Sequence, residues 1–306
     1  IKGRKHPITS TGHADLVELP DRRWYTVFLG TRPYEGDYYN TGRETFLAPV
    51  VWENEWPLIN PGIEDVQYSY PVPFPSKTRK ASGSKYSGNF SYKDDFAGKA
   101  LSKDWIFLRT LKASWYQLTG KKGLLNIKLR PETAGGKANP SFIARRQQHT
   151  NFTASTSLLF SAQTENEKAG LLCFMHEDHF YFLAIAKENG QPVVQLFQSS
   201  SNKADSNSMV QLASHKLDRD ETFVQLKVAV NADKYAFYFS TDEENWILVK
   251  DNVDGKFLST KKAGGFVGTT VGLYATSLGK PSDNTAYFDW FQYTGKDPVH
   301  ETSVHK

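Results

Sequence analysis

Residues able to do chemistry cluster early in this sequence. His13 and Asp15 stand two positions apart in GHADLVE (12–18). A neutral imidazole there can hydrogen-bond ligand hydroxyls or hold a water on a central ion. The alternative is a hydrogen-bonded structural histidine. Asp15 either orients His13 or caps a turn. Arg43, in TGRETF, offers a planar fork of donors suited to vicinal hydroxyls or a carboxylate. Its alternative use is an ion pair with Glu44 or another surface acid. Acid–base work by two carboxyl groups requires surroundings that push their pKa values apart. Residues 1–75 contain Glu18, Glu35, Asp37, Glu44, Glu53, Glu64 and Asp65. Most sit in turns or beside charges, where a solvated surface role is usual, so no catalytic pair is assigned.

Further candidates lie later. Asp94 and Asp95 in YKDDF and Asp289 in FDWF stand near the two ends of a long strand-rich region. If the terminal strands lie side by side, Asp95 and Asp289 offer hard oxygens for Ca²⁺; exposed acids at strand ends are the alternative. Phe266 follows two glycines in KKAGGFVGTTVGLY, which let the backbone turn tightly. It belongs either to a projecting loop or to a strand core. The single Cys173, in GLLCFMH, reads as a buried thiol and allows no disulfide within the chain.

The elements that must position these groups are strands. In 306 residues, 7 Trp, 15 Tyr and 20 Phe suit pleated, half-buried surfaces, and their ring faces also suit sugar C–H faces. RWYTVFLG (23–30) and TFLAPVVWE (45–53) are strand candidates in residues 1–75. Two or three strands with long connections cannot bury a core alone, so this part must lean on something else. SYPVPFPSKTRKASGSKYSGN (69–89) contains a linker, assigned to 76–89. From 90 to 295 short strand-like runs follow one another, many alternating apolar and polar. Asn-Gly in ENGQP (188–192) marks a hairpin, and STDEENWILV carries another turn at Asp242–Asn245. About a dozen strands without a convincing helix predict a two-sheet β-sandwich, with 296–306 as a tail. The balance of 37 basic and 33 acidic residues holds no basic block, so nucleic acid is not an expected partner. No run of 18 apolar residues predicts a membrane span.

GHADLVE, WYTVFLGTRP (24–33) and GRETFLAPVVWENEWPLINPG (42–62), in this order, resemble glycoside hydrolase family 43, the β-xylosidase and α-L-arabinofuranosidase family. YKDDF with Trp105, NPSFIARRQQH (139–149) and FDWFQY (288–293) are similar to the C-terminal sandwich of its xylosidase group. The resemblance implies an all-β chain: the last one or two blades of a five-bladed β-propeller, then a concanavalin- or lectin-like β-sandwich. It implies an inverting glycosidase acting on xylo-oligosaccharides or arabinoxylan, with no required cofactor. It implies that His13 and Arg43 bind the sugar and that Phe266 closes the pocket. The catalytic aspartate and glutamate are then expected upstream of Ile1, in a propeller part supplied by the same or another chain. The chain alone is accordingly expected not to hydrolyse glycosides. A non-catalytic carbohydrate-binding module and a structural sandwich are the rival readings. Xylose against arabinose preference, homo-oligomer formation and cellular location stay open at this level.

Overall fold

A computed structural model describes residues 6–63, 65–71, 86–120, 123–202, 209–218 and 223–301. The first four strands are β1 (Thr9–Glu18), β2 (Trp24–Thr31), β3 (Glu44–Glu53) and β4 (Trp56–Ile59). They form one antiparallel sheet in the order β1-β2-β3-β4, a blade-like meander. Alternation in β2 and β3 puts Thr26, Phe28, Ala48 and Val50 on one buried face. Ile8 and Val66 complete this small core, with Phe46, Tyr68 and Tyr70 packed around it. His13 and Asp15 lie inside β1 rather than ahead of a strand. Two bulges, at Thr9–Gly12 and Gly12–Asp15, break its register against β2. Ser10 and His13 carry positive φ within them, so the period-two pattern that would have revealed β1 is lost.

Fifteen strands follow among the described residues: β5 (Ser91–Asp94), β6 (Ile106–Phe107), β7 (Tyr116–Leu118), β8 (Leu125–Lys128), β9 (Ser141–Arg146), β10 (Asn151–Leu159), β11 (Lys168–His176), β12 (His179–Glu188), β13 (Gln191–Ser199), β14 (Met209–Lys216), β15 (Val224–Asn231), β16 (Lys234–Ser240), β17 (Ile247–Asp254), β18 (Thr270–Thr276) and β19 (Thr285–Gly295). A four-residue helix, α1 (Thr260–Ala263), precedes β18. One sheet runs β17-β16-β15-β10-β19-β8-β7 with β5 also on β19, and the other runs β14-β13-β12-β11-β18-β9-β6. The predicted hairpins form: Asn189–Gly190 joins β12 to β13, and the Asp242 carboxylate accepts from the Glu244 and Asn245 N–H groups between β16 and β17.

The main core lies between the sheets and includes Trp115, Phe237, Phe288 and Phe291. Strands β11, β12 and β18 are buried along nearly their whole length. A second cluster explains this: Phe142, Phe174, Phe180, Phe182 and Tyr274 pack with Ala134 of the segment before β9. The Ala134 N–H donates to the Tyr274 hydroxyl at 2.9 Å. That is why these three segments read as continuous apolar runs instead of alternating ones. Cys173 is buried among them, and burial pushes its thiol up to about 12.

The two sheets' partner, the N-terminal meander, is tied down by polar contacts. Arg32 donates to both Glu44 oxygens at 2.8 and 2.9 Å, to Asp297 Oδ2 at 2.8 Å and to the Gln148 carbonyl at 2.9 Å. Asp297, within the expected tail, also accepts from Thr150 Oγ1 and the Asn151 N–H. Positions 76–85 of the expected linker lie outside the described residues. At its far end, the Gly88 carbonyl hydrogen-bonds His149 Nε2, and Asn89 bonds Asp297.

Candidate functional site

The site is built on the loop 39–43, which leads into β3, and on the sandwich segment formed by α1 and the loop from it to β18. The two are laced through their backbones. The Thr260 N–H donates to the Tyr39 carbonyl at 3.2 Å, Thr269 to Asn40 at 2.7 Å and Arg43 to Phe266 at 3.2 Å. Gly42 and Gly268 sit at the crossing, both at positive φ. A Cβ on Gly42 would meet the Val267 carbonyl oxygen at 2.5 Å, and one on Gly268 the Gly42 nitrogen at 2.5 Å. Only glycine permits backbones this close. Beneath the crossing, the buried Asn40 amide donates to the Tyr235 hydroxyl at 3.1 Å and the Gly255 carbonyl at 3.0 Å.

The lacing brings two predicted site residues together. Arg43 Cζ lies 3.8 Å from the centroid of the Phe266 ring, a cation–π contact. Phe266 is 61 % exposed, so the core alternative for it does not hold. Gly264 and Gly265 carry the chain out of α1 at positive φ and project it. Arg43 does not pair with Glu44: both oxygens of that carboxylate are taken by Arg32, and Thr41 Oγ1 donates to one of them at 2.9 Å. The Arg43 fork is thereby left facing the crevice.

Arg43 and Phe266 border a crevice of about 1020 Å³ that also meets Phe46, Tyr70, Arg146 and His149. Arg32 lines it as well, and the sequence pattern points to neither His149 nor Arg32 as a functional residue. Both are buried polar groups whose partners come from distant segments, so no local spacing signals them. Burial holds the His149 imidazole below its ordinary value despite its bond to Gly88. Burial opposes the charge on Asp297, yet Arg32, the Asn151 N–H and Thr150 hold its carboxyl below the usual range. Arg32 is likewise penalised by burial, but Glu44 and Asp297 raise it further.

His13 and Asp15 do not line this crevice; both are exposed on β1, which among the described residues pairs with β2 alone. Register places Gly12, Leu29 and Thr45 in one row across β1, β2 and β3. From strand spacings, His13 and Arg43 then lie roughly 10–15 Å apart at the same end of the sheet. The Asp15 carbonyl accepts from Thr26 Oγ1 at 3.1 Å, and no hydrogen bond joins Asp15 to His13 among the described contacts.

A calcium site is not shown among the described residues. β5 does pair with β19, as terminal strands were expected to. Asp94, however, accepts from Tyr92 Oη at 2.7 Å and Trp105 Nε1 at 2.8 Å, and Asp95 caps the Ala97 N–H. Burial raises the Asp289 carboxyl, with Lys93 opposing it. Among the described residues no group of three or more His, Cys, Asp or Glu could hold a metal ion. Asp94 braces two aromatic rings and Asp95 a turn.

Residues 93–294 match the Beta xylosidase C-terminal Concanavalin A-like domain, and residues 2–57 match Glycosyl hydrolases family 43. The chain is 32 % identical over 290 residues to the non-reducing end alpha-L-arabinofuranosidase of Bacteroides ovatus, covering 94 % of this chain and 52 % of that protein. It is 31 % identical to a xylosidase/arabinosidase of Butyrivibrio fibrisolvens, covering 94 % and 53 %. The solved structure of Bacteroides ovatus Xyloglucan PUL GH43B superposes with a TM-score of 0.83 at 33 % identity, over 95 % of this chain and 55 % of that one. The chain spans about half the length of the curated relatives it matches.

Proposed function

Because the chain belongs to glycoside hydrolase family 43, with the C-terminal concanavalin A-like domain of the β-xylosidases, we propose that it is the sugar-binding C-terminal portion of an enzyme releasing xylose or arabinose from xylo-oligosaccharides or arabinoxylan. The observation that carries this reading is the Arg43–Phe266 pair, in which a sandwich loop reaches over an arginine of the meander. Arg43 donates its fork to vicinal hydroxyls of the terminal sugar. Phe266 covers an apolar sugar face and narrows the mouth against water. His13, at the same end of the sheet, supplies a further hydrogen bond, with Asp15 beside it.

Inverting hydrolysis of a glycoside uses two carboxyl groups roughly 6.5–9.5 Å apart. Glu44, the carboxylate next to Arg43, is engaged by Arg32 and Thr41 and is not free for that role. The reading therefore gives this chain binding and water exclusion, and assigns proton transfer to carboxylates outside this sequence.

Calorimetric titration with xylobiose and with arabinobiose tests it. Arg43→Ala is expected to weaken binding by a factor of about 10 to 100, the cost of one charge-assisted hydrogen bond of about 1.5–3 kcal/mol. Phe266→Ala should weaken it less and leave the melting temperature unchanged. Affinities indifferent to both substitutions would remove this assignment.

A further inference from the structure

A second cleft, of about 760 Å³, opens on the sandwich. Tyr86 lines both this cleft and the Arg43 crevice, so the two are neighbours across one ring. Its other walls include Tyr92, Lys93, Asp95, Ser102 and Asp104. Behind Tyr86 and Tyr92 stands Arg145 of β9, only 5 % exposed. Its neighbour Arg146 points the other way, lines the first crevice and donates to the Val267 carbonyl at 2.6 Å.

Arg145 is held in an aromatic cage. Its Cζ lies 3.7 Å from the Tyr92 ring centroid, 5.2 Å from Tyr86 and 5.8 Å from Trp105. Asp94 fixes two of these rings through its bonds to Tyr92 Oη and Trp105 Nε1. Cation–π attraction offsets part of the desolvation. A buried guanidinium still needs hydrogen-bond acceptors. Arg145 Nη1 has none among the described residues, and its ion-pair partner, Asp104 Oδ2, stands at 3.6 Å, beyond bonding distance. The Asp104 side chain is 43 % exposed and can turn without disturbing the core.

We propose that this cleft is an accessory saccharide subsite that takes a neutral pentose unit of an oligosaccharide; the sugar class rests on the function proposed above. Asp104, in the cleft wall, accepts from a ligand hydroxyl, and the buried Arg145 guanidinium behind that wall, 3.6 Å away, keeps the charged side of that carboxylate turned to the cleft's inner end. Ser102 Oγ already donates to Asp104 Oδ2 at 3.3 Å and steadies that carboxylate; Lys93 adds a donor, Asp95 an acceptor, and Tyr86 an apolar face. Charge selects against anions: Asp94, Asp95 and Asp104 outnumber Lys93 and Arg145 around the cleft. This mixture of carboxylates, cations and a ring suits a polyol better than a phosphate or a uronate.

The test is calorimetric titration of the purified 306-residue chain with xylobiose, in the wild type, Arg43→Ala, Asp104→Ala and the double variant. Near-ultraviolet circular dichroism and the melting temperature monitor the fold. Asp104 is exposed enough that Asp104→Ala is expected to fold normally. Arg43→Ala should leave a residual binding event, and adding Asp104→Ala should weaken that event at least tenfold. Glucuronic acid should not compete. Residual binding that is absent, or that ignores Asp104, overturns the subsite, as does preferential binding of the uronate. Binding sensitive to Asp104→Ala but indifferent to Arg43→Ala supports the subsite while removing the role given to Arg43, so the two failures are distinguishable.

Discussion

Lys168 shows how a single residue reports its surroundings. It begins β11 almost fully buried, with Nζ donating to the Glu165 carbonyl at 3.0 Å and lying 5.0 Å from the Phe197 ring centroid. Burial lowers its pKa to about 8, although Glu165 and Glu188 oppose the fall. An unfolded lysine titrates near 10.4. Between these values the unfolded chain holds more protons, so this group's contribution to stability rises with pH through that window. Lys168→Met should therefore stabilise the protein at pH 7, by up to about 3 kcal/mol, and the gain should shrink towards pH 10. Urea unfolding of both forms at pH 7, 8.5 and 10 measures it. A gain that grows with pH would contradict the assignment. At this same scale, Arg43 could be picked out in the sequence, but its partner could not. Whether Glu44 faces Arg43 or Arg32 depends on where residues 148 and 297 arrive in space.

Between elements, the loop crossing at Gly42 and Gly268 governs the site. Neither glycine has room for a Cβ, since the obstruction is backbone rather than a yielding side chain. Gly268→Ala should cost about 2–4 kcal/mol through strain at positive φ and loss of the Thr269–Asn40 bond. Gly42→Ala should cost a similar amount. The double variant should cost clearly less than the sum, because each change already separates the same two loops. Additive losses in thermal or urea unfolding would show that the loops are not one mechanical unit. The projecting Phe266 loop was half legible, since paired glycines announce a sharp turn. Its docking on Asn40 was not, because the contacting residues are more than 200 positions apart.

At the scale of the whole molecule, Arg32 and Asp297 join the start of the described chain to its end. Asp297 is 1 % exposed, and its pKa is held below the ordinary value against the effect of burial. Such a carboxylate contributes stability above its unfolded pKa, near 3.9, and that contribution is lost as pH falls through the lower folded value. Asp297→Ala should destabilise the protein by about 3–5 kcal/mol at pH 7, since it leaves the Arg32 guanidinium buried with one partner fewer. The difference from wild type should diminish below about pH 4. A constant difference from pH 7 to pH 3 in urea unfolding would exclude this linkage.

Hydrophobic pattern, turn residues and aromatic content by themselves determined that the chain is all-β, that a sandwich follows a smaller strand-rich part, and where the Asn-Gly hairpin falls. These properties are local, because pleat and turn geometry act over two to four residues. Strand β1 escaped since its bulges shift the pattern by one residue twice. The filled outer face of β11, β12 and β18 escaped because the covering residues lie outside those strands. Tertiary structure alone decided that Glu44 meets Arg32 and not Arg43, that Asp94 accepts from Trp105, and that Arg145 is caged beside a second cleft. Each depends on which distant backbones cross and on which charge reaches a buried partner first. Such pairings leave no period in the sequence to read.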